Sequence, residues 1–303
     1  MNVAITGANG FVGQALVCYL QQHKLNVTPI TRTPCVIDGK PSTTISDFKN
    51  PQQTLDLLQQ HDVLVHLAAR THHTNETGSE CLALYRETNV ENTLAVAEAA
   101  VRAGIKRFIF LSSIKVNGNQ TCGEPFTVDT PENPEDAYGQ SKYEAELALQ
   151  TFCIDAGMEL TIIRPPLIYG ERVKGNLAVL EKAIKYRIPL PLGSIHNKRN
   201  LLALPNLCDL IYVCLSHPKA SGQTFLAADG RALSTPQLIK FIAQGIGRKP
   251  VLLPFPVPGL KLIGKLGPQA QIERLTGDLE IDIEHTCKTL GWVPPFSPEH
   301  MFS

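Results

Sequence analysis

The chain has 303 residues, with 28 basic and 28 acidic side chains and a formal net charge of zero. That length buries a large core and suits one large domain, or one domain with a smaller lobe. No basic block or basic–aromatic interleaving is present, which argues against a nucleic-acid partner.

In chain order, Asn2–Thr6 is a short apolar run that reads as a strand, beginning almost at the initiator. No basic region precedes it, so no secretory leader is expected. A helix follows over Gly10–Gln22, with Phe11, Ala15, Cys18 and Tyr19 on its apolar face. Asn26–Thr31 and Asp62–Leu67 are further strands, and Leu94 to Ala103 is an apolar-faced helix starting near Asn89. Arg107–Ser112 is apolar without alternation, as a strand covered on both faces should be. Tyr138–Ala156 is a helix and Glu159–Arg164 the strand after it. This alternation predicts an α/β, Rossmann-type doubly wound parallel sheet with right-handed crossovers.

After Arg164-Pro165-Pro166 prolines become frequent and the segments shorten. The expected division is a dinucleotide-binding domain over 1–170, to which 200–220 returns through a helix at Asn206–Ser216. A smaller C-terminal substrate-binding lobe would comprise 171–199 and 221–303, including Pro236–Gly245 and the tail from Gln271. Val251 to Leu266 is apolar, but Pro254, Pro256 and Pro258 break it and Lys261 and Lys265 charge it, so no membrane span is expected. It reads as a proline-rich loop on the lobe, with contact to a surface as the alternative. The eight cysteines (Cys18, Cys35, Cys81, Cys122, Cys153, Cys208, Cys214, Cys287) show no C-x-x-C spacing, and several sit in apolar runs. Neither a metal site nor disulfides are expected, and a cytoplasmic, reducing location fits.

Three stretches carry chemistry. Thr6-Gly7-Ala8-Asn9-Gly10-Phe11-Val12-Gly13 lies where the first strand enters the first helix. There glycines allow a tight turn and a bare backbone, and the helix N-terminus attracts a pyrophosphate. The strand end Leu67-Ala68-Ala69 is small enough for a dinucleotide to approach; His66 before it reads as a core histidine rather than a base. Tyr138-Gly139-Gln140-Ser141-Lys142 puts a phenol and an ammonium on one helix face. An unperturbed phenol titrates near ~10, and an adjacent cation favours its ionised form. Ser113 closes the buried strand before it and could hold the reacting oxygen. Together these groups can move a proton while a nicotinamide moves a hydride.

Cofactor type is read at the end of the second strand, where a carboxylate would favour NAD(H). Ile30-Thr31-Arg32-Thr33 has none, and a guanidinium with hydroxyls suits a 2′-phosphate. The reading tilts to NADP(H) over NAD(H), with Arg32 stacking on adenine or pointing to solvent as the other possibility.

These residues, with Asn89, resemble the extended short-chain dehydrogenase/reductase family, also called NAD-dependent epimerase/dehydratases. The resemblance covers most of the chain. It implies that Tyr138 is the acid/base and that Lys142 holds the nicotinamide ribose and lowers the tyrosine pKa. Ser113 would orient the substrate oxygen, Ser112 would be a plain strand-end residue, and Asn89 would stabilise the core beside the site. Gly7, Asn9, Gly10, Phe11, Val12, Gly13, Thr31, Arg32, Leu67, Ala68, Ala69 and Pro165 would join Tyr138 and Lys142 around the cofactor.

The second half is similar to nucleotide-sugar members of that family. Arg164-Pro165-Pro166-Leu167-Ile168-Tyr169-Gly170 resembles its R-P-x-N-x-Y-G-P segment, with Leu167 in place of Asn and Glu171 in place of Pro. Gly175-Asn176-Leu177, Lys198-Arg199-Asn200 and Arg274 with Gly277-Asp278 resemble segments around the nucleotide diphosphate. Two converging arginine forks suit phosphate oxygens. By this resemblance Ser113, Lys115, Asn176, Leu177, Arg199, Arg274 and Asp278 are the substrate-side candidates, for a UDP-sugar. Lys115 would face the sugar, face the cofactor, or be solvated.

Sugar 4,6-dehydratases of the family carry Asp-Glu after the active hydroxyl residue, where this chain has Ile114 and Lys115, which disfavours dehydration. Two reactions at C4 remain. A 4-keto reductase of a UDP-N-acetylhexosamine derivative, serving surface-polysaccharide precursor synthesis, is favoured slightly by Thr31-Arg32. A UDP-glucose or UDP-N-acetylglucosamine 4-epimerase with tightly held NAD uses the same three residues. A non-catalytic NAD(P)-sensing module is a third class, and the retained Tyr/Lys pair argues against it. A homodimer through a four-helix contact of Leu94–Ala103 and Tyr138–Ala156 is implied.

Overall fold

A computed structural model describes residues 1–71, 79–170, 176–267 and 269–301. Its first half runs β1 (Asn2–Thr6), α1 (Phe11–Gln22), β2 (Asn26–Thr31), the short strands β3 (Val36–Ile37), β4 (Lys40–Pro41) and β5 (Thr43–Thr44), then α2 (Pro51–Leu58) and β6 (Val63–His66). Next come α3 (Ser79–Arg86), a π-helical turn (Glu87–Glu91), α4 (Asn92–Arg102), β7 (Arg107–Leu111), a 3₁₀ turn (Ile114–Val116), α5 (Ala137–Ala156) and β8 (Glu159–Arg164). The remainder is β9 (Ile168–Tyr169), α6 (Asn176–Lys185), β10 (Leu202–Ala203), α7 (Leu204–Ser216), β11 (Gln223–Leu226) and α8 (Thr235–Gly245). Helices α9 (Val257–Lys265), α10 (Gln269–Thr276), α11 (Glu284–Leu290) and α12 (Pro298–Met301) complete it.

Seven strands form one sheet in the order β11-β8-β7-β6-β1-β2-β5, and every pairing is parallel. Both faces are covered, which explains the uninterrupted apolar runs. Side chains alternate by face with period two. Val3, Ile5, Val65 and Ile109 pack with Leu16 and Leu20 of α1 and Leu207 and Ile211 of α7. Ala4, Leu64, Phe108 and Phe110 pack with Val96 and Ala100 of α4 and Ala145 and Leu149 of α5. The order turns at β1, which has β2 on one side and β6 on the other, and a ligand crevice opens at such a switch point. Cys153, Cys208 and Cys214 are buried among these apolar groups, as their neighbours in sequence imply.

The return to the sheet runs past 220. β11 pairs with β8, and Thr286 of α11 bonds the Leu226 carbonyl at 2.7 Å. Trp292 joins the sheet core and donates to Asp209 of α7 at 2.7 Å. Part of the tail assigned to the lobe on sequence therefore covers the sheet. The lobe's own core gathers Leu177 and Ile184 of α6, Ile239 and Ile242 of α8, and Leu260 of α9. The apolar Val251–Leu266 stretch contains α9, which buries Leu260 and Gly264 and exposes Leu262, Ile263 and the following Leu266. Among the described residues no helix is long and apolar enough to cross a membrane.

Candidate active site

The glycine loop sits at the switch point, where bare backbone is a steric requirement. Gly7 has a φ of +68°, and a Cβ there would lie 2.7 Å from the Ala68 nitrogen. A Cβ on Gly13 would come within 2.3 Å of the Gly7 carbonyl oxygen. Gly10 is the N-cap of α1 and offers no side-chain cap, leaving the first-turn amides to an outside acceptor. The groove there is lined by Gly7, Asn9, Gly10, Thr31, Arg32 and Leu67 to Ala69, all named from sequence. Phe48, Thr88 and Asn92 line it too, and sequence reading missed them. Asn92 Oδ1 is buried there without a hydrogen-bond partner among the described residues. An orphaned acceptor beside free helix amides fits a bound group that brings both donors and anionic oxygens.

Thr31 and Arg32 differ in availability. The Thr31 hydroxyl is buried and bonded to the Thr33 carbonyl and the Ser42 hydroxyl, both at 2.8 Å. Arg32 is exposed at the groove's rim. Phe11 and Val12 are half-buried on α1, and Pro165 is buried, its carbonyl accepting from the Ile114 amide at 2.9 Å. His66 is a core histidine, bonded to Thr6 Oγ1 at 2.9 Å and Thr93 Oγ1 at 3.1 Å. Burial, with Lys142 nearby, pushes it down to about 3 and keeps it neutral.

Ser113, Tyr138 and Lys142 converge where β7 ends. Ser113 caps the 3₁₀ turn, and the Tyr138 side chain hydrogen-bonds to it. Desolvation, then the Asp136 charge and Tyr85, push the phenol well above its ordinary pKa, while the Ser113 bond opposes them. Lys142 is 2 % exposed, so its ammonium has little water to lean on. It donates to the Leu111 carbonyl at 2.8 Å and lies 4.3 Å from the Phe110 ring centroid. Burial lowers it to about 7, against the pull of Glu146. Asn89 stands in the π turn, and its amide spans the Arg70 backbone at 2.8 and 3.2 Å and the Ser141 hydroxyl at 2.9 Å. That ties α5 to the chain after β6, the bracing role the resemblance implies.

Two sets of partners were not visible in the sequence. Lys115 is ion-paired with Asp136, which caps α5 by accepting from the Gly139 amide at 2.8 Å. Behind them Arg164 donates through Nε to Glu146 at 3.0 and 3.2 Å, and reaches Asn117 at 3.1 Å and Glu132 at 3.0 Å. Ser112 also donates to Glu146, so this strand-end serine has a definite task. Burial works against the Arg164 charge, and Glu146 and Glu132 outweigh it, holding the guanidinium above its usual pKa. The one sequence signal was periodicity: Glu146 follows Lys142 by one helical turn on the inward face.

The lobe brings Arg199 and Arg274 together. Arg199 is lowered to about 10 by burial and then by the Arg274 charge, with Asp278 opposing. Arg199 Nη1 donates to the Gly277 carbonyl at 3.0 Å, and Asp278 Oδ1 accepts from the Lys198 amide at 2.7 Å. The Arg274 charge also reaches Asp136, two residues before Tyr138, and helps hold that carboxyl below its usual range. Gln120 belongs here unannounced, since a Cβ on Gly277 would meet its Oε1 at 2.5 Å. Leu177 does not reach the cleft with its side chain, which packs into the lobe core. Glu171, Gly175 and the side chain of Asn176 lie outside the described residues.

A parallel sheet with a glycine-lined switch point, a tyrosine and a lysine one turn apart, and a serine beside the phenol are the features of nicotinamide-dependent enzymes of the short-chain type. The NAD dependent epimerase/dehydratase family matches residues 3–228. The chain belongs to that family and is an enzyme of its kind. It is 43% identical over 299 residues to a UDP-glucose 4-epimerase of Vibrio cholerae, covering 97% of this chain and 91% of that one. It is 30% identical over 268 residues to an N-acetyl-alpha-D-glucosaminyl-diphospho-ditrans,octacis-undecaprenol 4-epimerase of Escherichia coli O157:H7, covering 88% and 77%. A UDP-glucuronic acid 4-epimerase from Bacillus cereus, solved with NAD, has the same fold at a TM-score of 0.79 and 20% identity, covering 100% of this chain and 96% of that one.

Proposed function

We propose that this chain is a 4-epimerase of a UDP-linked hexose or N-acetylhexosamine that keeps its NAD bound through turnover. The reading is carried by the Arg274 charge reaching Asp136 at the cap of the helix that presents Tyr138, which sets the Arg199–Arg274 pair near Ser113 and Tyr138, with Ile114 and Lys115 where elimination would need an acid/base pair. The arginines hold the diphosphate, which fixes the sugar over Tyr138. Tyr138 takes the proton from O4 and later returns it, and Ser113 holds that oxygen through its hydroxyl. Lys142 steadies the ribose next to the reacting ring and supplies the nearby positive charge. A bound nicotinamide dinucleotide would supply the hydride chemistry at C4. The glycine loop and the free amides of α1 would hold its pyrophosphate, and Asn92 Oδ1 would be available to it as an acceptor in the same groove.

The 43% likeness to a UDP-glucose 4-epimerase supports epimerisation over reduction. So does Thr31, whose hydroxyl is already engaged, leaving Arg32 alone for a 2′-phosphate. Protein as purified is expected to release NAD on denaturation and to interconvert UDP-glucose or UDP-N-acetylglucosamine with its C4 epimer, without net cofactor use. NADPH consumption with a UDP-4-keto sugar, and no interconversion, would establish the reductase instead. In that case Arg32→Ala should weaken NADPH binding about ten- to a hundredfold, the loss of one charge-assisted contact.

Arg199→Ala and Arg274→Ala should each weaken UDP binding by about 1–3 kcal/mol and leave NAD binding alone. Titration calorimetry checks both, and unchanged UDP affinity in the two variants removes the case for a nucleoside diphosphate. A homodimer through α4 and α5 belongs to the same reading, supported by Leu147 and Ile154 exposed on α5. Sedimentation equilibrium of the wild type and Ile154→Glu tests it.

A further inference from the structure

Lys115 and Asp136 are 21 residues apart in sequence and meet as an ion pair at the first turn of α5. The lysine is held there from both ends. Its ammonium is on the Asp136 carboxylate and lies 5.8 Å from the Tyr138 ring centroid. Its backbone is pressed against the same turn, since a Cβ on Gly139 would come within 2.7 Å of the Lys115 carbonyl oxygen. Only 18% of the side chain is exposed, so it is not a solvated surface lysine. Asp136 has two consequences for Tyr138. It caps the helix that presents the tyrosine, and it places a negative charge two residues from the phenol. A neutral Ser or Asn caps a helix as well, so an aspartate at this cap needs a counter-charge if the phenol is to ionise.

We propose that Lys115 is a positioning residue for Tyr138: its ion pair with Asp136 lets a carboxylate cap the catalytic helix while offsetting part of the charge that holds the proton on the phenol. This rests on the reading of Tyr138 as the acid/base. Burial opposes ionisation of Asp136, and Lys115, the Gly139 amide and Arg274 outweigh it, so the carboxyl stays below its usual range. Tyr85 of α3, at 6.1 Å between ring centroids, and Ser113 at the end of β7 also act on the phenol, and Lys142 follows one helical turn along α5, with its ammonium on the Leu111 carbonyl. Arg70 stands behind Tyr85, 5.9 Å from that ring. Among the described residues, Lys115 is the side chain ion-paired with Asp136.

The test is the pH titration of tyrosinate absorbance in the protein as purified, with the Tyr138→Phe variant subtracted so that only Tyr138 is read. Lys115→Met should move the Tyr138 titration up by about one pH unit, the effect of one uncompensated charge at short range. Asp136→Asn, which keeps a cap, should move it down, and the double variant should lie close to the wild type. Lys115→Arg should restore most of the shift. The acidic limb of kcat/KM should follow the same order. An unmoved titration in Lys115→Met, with activity lowered equally at every pH, overturns the proposal in favour of a structural lysine. A raised KM for the nucleotide sugar with an unmoved limb overturns it in favour of a substrate ligand. Should Lys115→Met fail to fold, Asp136→Asn decides alone, since no downward shift there also sinks the idea. Full activity in Tyr138→Phe would instead sink the reading of the tyrosine itself, a result separable from all of these.

Discussion

Replacing Tyr138 with phenylalanine is expected to lower turnover about 10²- to 10⁴-fold, the usual contribution of a positioned proton donor and acceptor. The ring keeps its place against Tyr85, 6.1 Å away between centroids, so the fold and the cofactor groove should survive. Only the bond to Ser113 and the transferable proton are lost. Steady-state turnover with an interconverted UDP-sugar, alongside NAD content of the purified variant, separates the two effects. Near-normal turnover in this variant would place the acid/base elsewhere. Lys142→Met should differ by damaging both readouts, because the amine is proposed to serve the ribose as well as the phenol.

The largest expected loss of stability comes from Arg164→Met. Arg164 and Glu146 are buried at 3 % and 1 % exposure, and the arginine spans Glu146, Glu132 and Asn117. Removing the guanidinium leaves the Glu146 carboxylate in the core with Ser112 as its remaining described hydrogen-bond partner. Breaking one side of such a pair typically costs about 3–5 kcal/mol. Urea unfolding of the wild type and the variant, both holding cofactor, measures it. The double variant Arg164→Met with Glu146→Gln should recover much of the loss, since the stranded charge is gone. No recovery would mean that packing around the arginine stem, rather than charge, is what the site needs. Glu146→Gln alone should also push the Lys142 pKa further down, because the Glu146 charge is what raises it. Lys142 would then shed its proton at a lower pH than in the wild type.

The central strands and the helices α1, α4 and α5 were legible because a doubly covered parallel sheet writes long apolar runs and its helices write a 3.6-residue stripe, whereas the eight-residue α2 and α3 and the two-residue β3 to β5 were not read. Arg107–Ser112 and Tyr138–Ala156 were placed to within a residue of β7 and α5. Past Arg164 the pattern weakened. β11 is four residues long and the tail helix α11 seven, too short for a period to declare itself, and the tail's attachment to the sheet was missed. Leu177 was read toward the substrate by likeness to a segment, whereas its side chain followed hydrophobicity into the lobe.

By itself, the sequence determined the glycine turn at the end of β1, the Tyr138/Lys142 pair and the serine ahead of it. The turn and the pair depend on spacing within a single turn or helix, where covalent geometry sets the distance, and the serine on its place at the end of an apolar strand. The tertiary structure alone decided what surrounds those groups. Lys115 meets Asp136 across 21 residues, Arg164 meets Asn117 across 47, and Arg199 meets Gly277 across 78. Asn92 faces the groove with a buried acceptor only because α4 passes the switch point beside β6. Charges and hydrogen bonds act through space, and folding sets which distant residues stand within reach of Tyr138.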